Sequence, residues 1–259
     1  MSDNQGHGYV EEVRRQRAVW LAKPVLRILY QRWFQRVVDS LSPLGPTIEI
    51  GSGCGNFKEF HPPAIATDVV SAGPWIERVV DAHQLDFAAA SVGNLVAFDV
   101  LHHLQRPLDF LRQAERALQP GGRLVLCEPA VSPWSRVVYA FHHEALDPTW
   151  DLFGLDGVAP DPDPSHAFAN MAIAHLLFRQ HPTLTSARVP GLRLLSVRCT
   201  DALLYPLSGG FSYRCLLSRH GLPALCAIED ALTRPVAGWL SALRLHVVLE
   251  KTTVPPTPT

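Results

Sequence analysis

The chain lacks a paired cysteine motif: its five cysteines, at 54, 127, 199, 215 and 226, are scattered and include no CxxC. That excludes a zinc ribbon and argues against a disulfide framework. The expectation is reduced core thiols in a cytoplasmic protein. Charge of one sign is also missing, with 23 Lys plus Arg against 24 Asp plus Glu and a formal net charge of −1. Nothing global therefore recommends a nucleic-acid partner. No run approaches the ~20 apolar residues that span a bilayer, and the polar opening MSDNQGHGYVEEVRRQR has no apolar segment of the signal-peptide kind. No internal repeat stands out. What is there is a 259-residue chain, 47% apolar and 18% charged. This is enough for one large or two small domains of roughly 150 residues, with a substantial core.

Periodicity divides the chain. Leu26, Leu29, Trp33, Val37 and Leu41 recur at helical spacing before Ser42-Pro-Leu-Gly-Pro46 breaks the pattern. Residues 1–45 read as an N-terminal helical cover, with residues 1–8 frayed. Strand-like segments follow at 46–50, 64–68, 78–82, 94–100 and 122–129, with a helix from Pro107 to the Pro120-Gly121-Gly122 stop. Alternation of short buried strands with turns and helices predicts an α/β fold, a mostly parallel sheet covered on both faces, over a binding core at 46–130. Residues 131–191 read as a cap inserted after the fifth strand, with helices at 134–146 and 165–180. Residues 192–251 read as the terminal strands and helices of the sheet, with strands at 192–200 and 243–251, and 252–259 as a disordered tail.

The stretch TIEIGSGCGNF (47–57) carries the chemistry. Gly51, Gly53 and Gly55 permit a backbone approach that a Cβ would forbid. A glycine loop alone also suits a dinucleotide, but the pattern here is GxGxG rather than GxGxxG. Glu49, two residues ahead, sits poorly beside a pyrophosphate and well beside an ammonium group. Asp68, at the end of the next strand, is placed either to accept from ribose hydroxyls or to cap a helix. A ligand with a ribose, a cationic amino-acid end and no phosphate fits these features, and S-adenosylmethionine (SAM) is that ligand.

At these residues the chain resembles the class I SAM-dependent methyltransferases, in particular the broad group with a VLHHL turn. The matching segments are EIGSGCGNF (49–57), IATD (65–68), RVVDAHQLDF (78–87), NLVAFDVLHHL (94–104) and ERALQPGGRLVLCEP (115–129), which span roughly residues 45–130, about a third of the chain. The resemblance implies a Rossmann-like, seven-stranded, mostly parallel sheet. It implies that Glu49 holds the methionine ammonium while the backbone of Gly51, Ser52, Gly53 and Gly55 lines the methionine portion. Asp68 would take the ribose hydroxyls, and Asp81 and Ala82 the adenine edge. Phe98, with Asp99 beside it, would offer its carbonyl to the ammonium, and His103 would lie near the methyl-transfer zone. One departure is Asp86 in LDF (85–87), where relatives carry proline.

Methyl transfer from a sulfonium is mainly a matter of alignment and exclusion of water, and an oxygen nucleophile also needs a base. The histidine pairs 102–103 and 142–143 are the candidates, with His143 and His103 the expected catalytic residues. Successive helical residues point about 100° apart, so His142, His143 and Glu144 cannot converge on a metal and no metal is expected. Either pair can equally be a packed structural histidine. Trp134, Tyr139, Trp150, Phe153, Tyr205 and Phe211 can wall an acceptor pocket or belong to the core. The expected activity is O-methylation of a small molecule or glycan. A non-catalytic scaffold and a nicotinamide oxidoreductase stand as the alternatives, the last opposed by Glu49. Arginines at 14, 15, 17, 27, 32 and 36, mixed with Trp20, Tyr30, Trp33 and Phe34, suit either a peripheral membrane contact or a solvated basic face.

Overall fold

The computed structural model describes residues 3–140, 145–154, 158, 168–217 and 221–253, with side chains from residue 7 onward. Seven strands form one sheet: β1 (Thr47–Ile50), β2 (Ile65–Asp68), β3 (Arg78–Val79), β4 (Val92–Phe98), β5 (Leu118–Pro129), β6 (Leu192–Thr200) and β7 (Arg244–Lys251). The order is β3-β2-β1-β4-β5-β7-β6, with β1 to β5 mutually parallel and β7 antiparallel to both neighbours. This is the expected Rossmann-like arrangement.

Strand parity divides the apolar residues between two cores. Leu95, Ala97, Leu124, Leu126, Val247 and Leu249 face one side, under the helix Pro107–Ala117 and the segment around Leu176. Val96, Val125 and Val248 face the other, where Leu26, Leu29, Trp33 and Phe34 cover them. Those four belong to the second of two N-terminal helices, α1 (Asp3–Ala22) and α2 (Pro24–Val38). Pro24 starts α2 at a position where a missing N–H costs nothing, and Lys23 between the helices is non-helical. Further helices are α3 (Asn56–Phe60), α4 (Pro107–Ala117), α5 (Pro133–Tyr139), α6 (Ile173–His175), α7 (Pro182–Arg188), α8 (Leu204–Ser208), α9 (Leu222–Leu232) and α10 (Pro235–Ser241).

Several expectations are corrected. Helix α1 starts at Asp3, inside the stretch expected to fray. Strand β3 keeps only Arg78 and Val79, both exposed at the sheet edge, where one face has nothing to bury. Strand β5 starts at Leu118, so the Gly121-Gly122 stop lies within it, and the register against β4 shifts between Val92 and Asn94. Of the helix expected at 165–180, residues 165–167 lie outside the described residues, and regular helix starts only at Ile173 before a π-turn over Leu176–Gln180. Asn170 explains the late start. Its buried amide accepts from Asp147 N and Ala172 N and donates to Asp147 O, fixing a loop where helix was expected.

All five cysteines are free. No described helix is long and apolar enough to cross a membrane. The N-terminal aromatics Trp20, Tyr30, Trp33 and Phe34 are buried in the second core. Arg15 and Arg17 pair with Glu12 and Glu59, and Arg32 and Arg36 with Asp230. Of the two readings of this region, the buried aromatics and the paired arginines favour a solvated basic face.

Candidate functional site

Because β1 to β5 run in parallel, their C-terminal ends share one edge of the sheet, and β7, running the other way, presents its start there: Pro129 lies opposite Arg244. A cavity of about 520 Å³ opens along this edge, where open α/β sheets bind ligands. Glu49, Gly51, Ser52, Gly53, Phe98, Asp99 and His103 line it, as do His102, Tyr139, Met171, Tyr205, Phe211 and Arg244, and α1 contributes Tyr9, Glu12, Arg15 and Gln16.

At one end lies the glycine loop. Gly53 has φ +49°, and a Cβ added there would meet no protein atom within 4 Å, so the space above it is open to a ligand. Its carbonyl accepts from the Trp75 indole at 2.8 Å, and Arg17 donates to the neighbouring Cys54 carbonyl at 3.0 Å, so the bend is strapped from outside. Gly55, at φ +74°, starts α3, and a Cβ there would collide with Trp75 at 2.6 Å. Glu49 is buried on the face that carries α2, and burial pushes its carboxyl up to about 8. Its Oε2 has no hydrogen-bond partner. A buried acceptor left without a donor costs free energy. A ligand ammonium would supply the donor.

Asp68 lies behind the loop rather than in the cavity wall. Its Oδ2 accepts from Gly53 N at 2.8 Å and from the Tyr9 hydroxyl at 3.3 Å, and its Oδ1 from Val69 N at 2.7 Å. Burial raises its carboxyl above the usual range. Tyr9 was not anticipated: a side chain 59 residues away occupies the acceptor that a ribose hydroxyl would use. Asp81 stands on the exposed side, its Oδ1 bound by His83 N at 2.8 Å, and Ala82 beside it is buried. Neither reaches the cavity wall, nor does Gly55. Asp86, the departure from the resemblance, pairs with Arg78 at 2.7 Å.

On the neighbouring strand Asp99 has φ +53° directly after β4 and carries its carboxylate to Arg244, with contacts of 2.6 and 2.8 Å. Burial would raise its pKa, but the guanidinium prevails and holds it below the ordinary aspartate value. About a third of the Asp99 side chain opens, toward the cavity, while Arg244 is buried with its guanidinium 4.2 Å from the Trp33 ring centroid. Asp99 therefore faces the cavity as half of an ion pair.

His103, an expected catalytic residue, lines the cavity with Nδ1 3.2 Å from Phe168 O. His143, the other, lies outside the described residues, as do His142 and Glu144. His102, which lines the cavity and which sequence reasoning set aside, has a close polar partner behind the wall in Glu128. His102 Nδ1 lies 2.7 Å from Glu128 Oε2, both side chains almost fully buried. Glu128 also accepts from the backbone N–H groups of Val100 and Leu101 at 2.9 and 2.8 Å, so its oxygens are acceptors and Nδ1 is the donor. The proton sits on Nδ1 and Nε2 is the basic nitrogen. Asn170 N donates to His102 O at 2.8 Å and ties the dyad to the segment after β5. Of the candidate acceptor-wall aromatics, Tyr139, Tyr205 and Phe211 reach the cavity, whereas Trp150 and Phe153 pack on the core and Trp134 donates to Ala202 O.

Residues 62–126 match the model of a methyltransferase domain. The match covers Asp68, Asp81, Ala82, Phe98, Asp99 and both histidines of the VLHHL turn, and begins after the glycine loop. No curated protein matches the chain. Among solved structures it is similar to a SAM-dependent methyltransferase from Archaeoglobus fulgidus, with 13% identity over 87% of this chain and 94% of that one, TM-score 0.53. It is also similar to the geranyl diphosphate C-methyltransferase of Streptomyces coelicolor A3(2), solved with Mg²⁺, geranyl diphosphate and S-adenosyl-L-homocysteine: 13% identity, 86% and 81% coverage, TM-score 0.50. At such identities the likeness is one of fold.

Proposed function

The chain carries a class I SAM-dependent methyltransferase domain, and from that premise we propose that it methylates a hydroxyl of a small molecule or glycan with His102 as the base. When bound, the sulfonium cofactor supplies an electrophilic methyl group without help from a metal. Glu49 receives the ammonium, the loop at Gly51–Gly53 the methionine chain, and the Phe98 carbonyl a further ammonium N–H. Asp68 takes the ribose hydroxyls once Tyr9 withdraws, and Asp81 turns from His83 to the adenine amine. The acceptor lies toward Tyr139, Met171 and Tyr205.

The supporting observation is the 2.7 Å contact to Glu128 made by His102, which lines the cavity. A carboxylate that holds Nδ1–H fixes the tautomer and makes Nε2 the nitrogen that takes a hydroxyl proton. Glu128 also stabilises the imidazolium formed, and solvent then removes the proton. His103, 4.1 Å away ring to ring, is a wall residue in this scheme.

The test is transfer of isotope-labelled methyl from SAM into a small-molecule extract, with products identified by mass and fragmentation. The reading expects label on an oxygen. Label on carbon or nitrogen would contradict it, and a cofactor site that binds without any turnover would favour the scaffold alternative.

A further inference from the structure

Helix α10 presents an apolar face to solvent. Val236, Trp239 and Leu240, spaced i, i+3 and i+4, share one side, and they are 85%, 59% and 64% exposed. The helix cannot turn this side inward. Gly238 lies against β6, where an added Cβ would come within 2.7 Å of the Cys199 Cβ. Neighbouring α5 adds Val137, also more than half exposed.

Cations with no ion pair among the described residues border this face. The Arg179 guanidinium stacks on the Trp239 ring at 3.4 Å. Its Nη2 is buried with no hydrogen-bond partner, and Nη1 reaches only Cys199 Sγ at 3.5 Å. Arg136 of α5 and Arg234, just before α10, are exposed. His175 lies close enough to Arg179 and Arg136 to feel both, and burial with those charges holds it to about 4, so it stays neutral. The contributing segments, 133–140, 173–182 and 234–241, contain three arginines and no Asp or Glu.

We propose that this face docks on an anionic membrane surface, with Val236, Trp239 and Leu240 entering the headgroup layer and the exposed Arg136 and Arg234 meeting lipid phosphates. A valine that is 85% exposed projects outward, which suits insertion better than closure against a shape-matched protein groove. Phosphate oxygens are the acceptors that the exposed guanidinium groups of Arg136 and Arg234 prefer. An indole with arginine beside it matches the polarity gradient of the interface. Docking here does not depend on the methyl-transfer reading.

Vesicle co-sedimentation of the full chain tests this. Binding is expected to phosphatidylcholine vesicles containing about 30% phosphatidylserine, and not to phosphatidylcholine alone. The double variant V236D/L240D should bind at least about tenfold more weakly, and R136Q and R234Q each about fivefold more weakly. All should keep wild-type affinity for S-adenosylhomocysteine, which shows that they fold. Failure of the wild type to sediment with the anionic vesicles, or wild-type binding by V236D/L240D, would overturn the proposal. A wild-type dimer that the double variant splits into monomers would assign the face to a second copy and overturn it as well.

Discussion

Two acids line the cavity, Glu49 on β1 and Asp99 just after the neighbouring β4, and they are in opposite states. Glu49 is buried without a partner for Oε2, and burial raises it to about 8. Asp99 faces the same cavity, but Arg244 grips both its oxygens and keeps it ionised. An orphaned acid is poised for a ligand cation, whereas a paired one is already part of the protein. The contrast separates an acid whose electrostatics a ligand would complete from one already satisfied within the protein, as His102 and Glu128 satisfy each other at the acceptor end.

The largest effect should come from the acceptor end. His102→Ala is expected to lower turnover by about 10²- to 10⁴-fold while calorimetric affinity for S-adenosylhomocysteine stays at the wild-type value. Equal loss of both would make His102 structural. Next, Arg244→Met should leave Asp99 uncompensated and cost about 3 kcal/mol in urea unfolding, the low end for broken buried pairs because Asp99 opens to the cavity. Asp99→Asn/Arg244→Met together should recover part of that loss. The pair also sets acid behaviour. Since the folded pKa of Asp99 is depressed, its contribution is present above the unfolded value, 3.8, and disappears as pH falls through the folded one, a loss the double variant should lack.

At the cofactor end, Asp68→Ala is expected to weaken S-adenosylhomocysteine binding roughly 10- to 100-fold, the worth of hydrogen bonds to a charged acceptor, and to lower the melting temperature, because Gly53 N–H and Val69 N–H lose their acceptor. The smallest effect tests Tyr9. Removing its hydroxyl in Tyr9→Phe frees Asp68 Oδ2 and should tighten cofactor binding by a few-fold. A weaker affinity would mean that Tyr9 helps hold the ribose instead of competing with it.

Legibility in the sequence differs between the two ends for a physical reason. The cofactor end is built by short-range features: Glu49 two residues before the glycines, Asp68 closing the next strand. Local pattern suffices to read them. The acceptor end is assembled by sheet order. His102 meets Glu128 because β4 and β5 are neighbours, and Arg244 meets Asp99 because β7 inserts antiparallel beside β5. No spacing in the chain announces either contact. Two adjacent histidines were visible, but only the fold shows that His102 meets the Glu128 carboxylate. Tyr9 was hidden similarly, since a helix end says nothing of what lies under it. The strands at 46–50 and 192–200 were readable from β-branched and apolar runs. The helix expected at 165–180 was not, because the Asn170 amide satisfies loop backbone that periodicity assigned to helix.

The central claim is that Glu49 awaits an ammonium. In the free protein its neutral form is favoured, so below about pH 8 pairing with the cofactor's amine, itself titrating near 8, must expel a proton. Titration calorimetry of S-adenosylhomocysteine at pH 7, in two buffers of different ionisation enthalpy, counts that proton. Binding by the wild type with release of close to one proton, and weaker binding by Glu49→Gln with none, is the predicted result. Equal affinity and equal proton release in the two proteins, or no binding to the wild type at millimolar ligand, would contradict it.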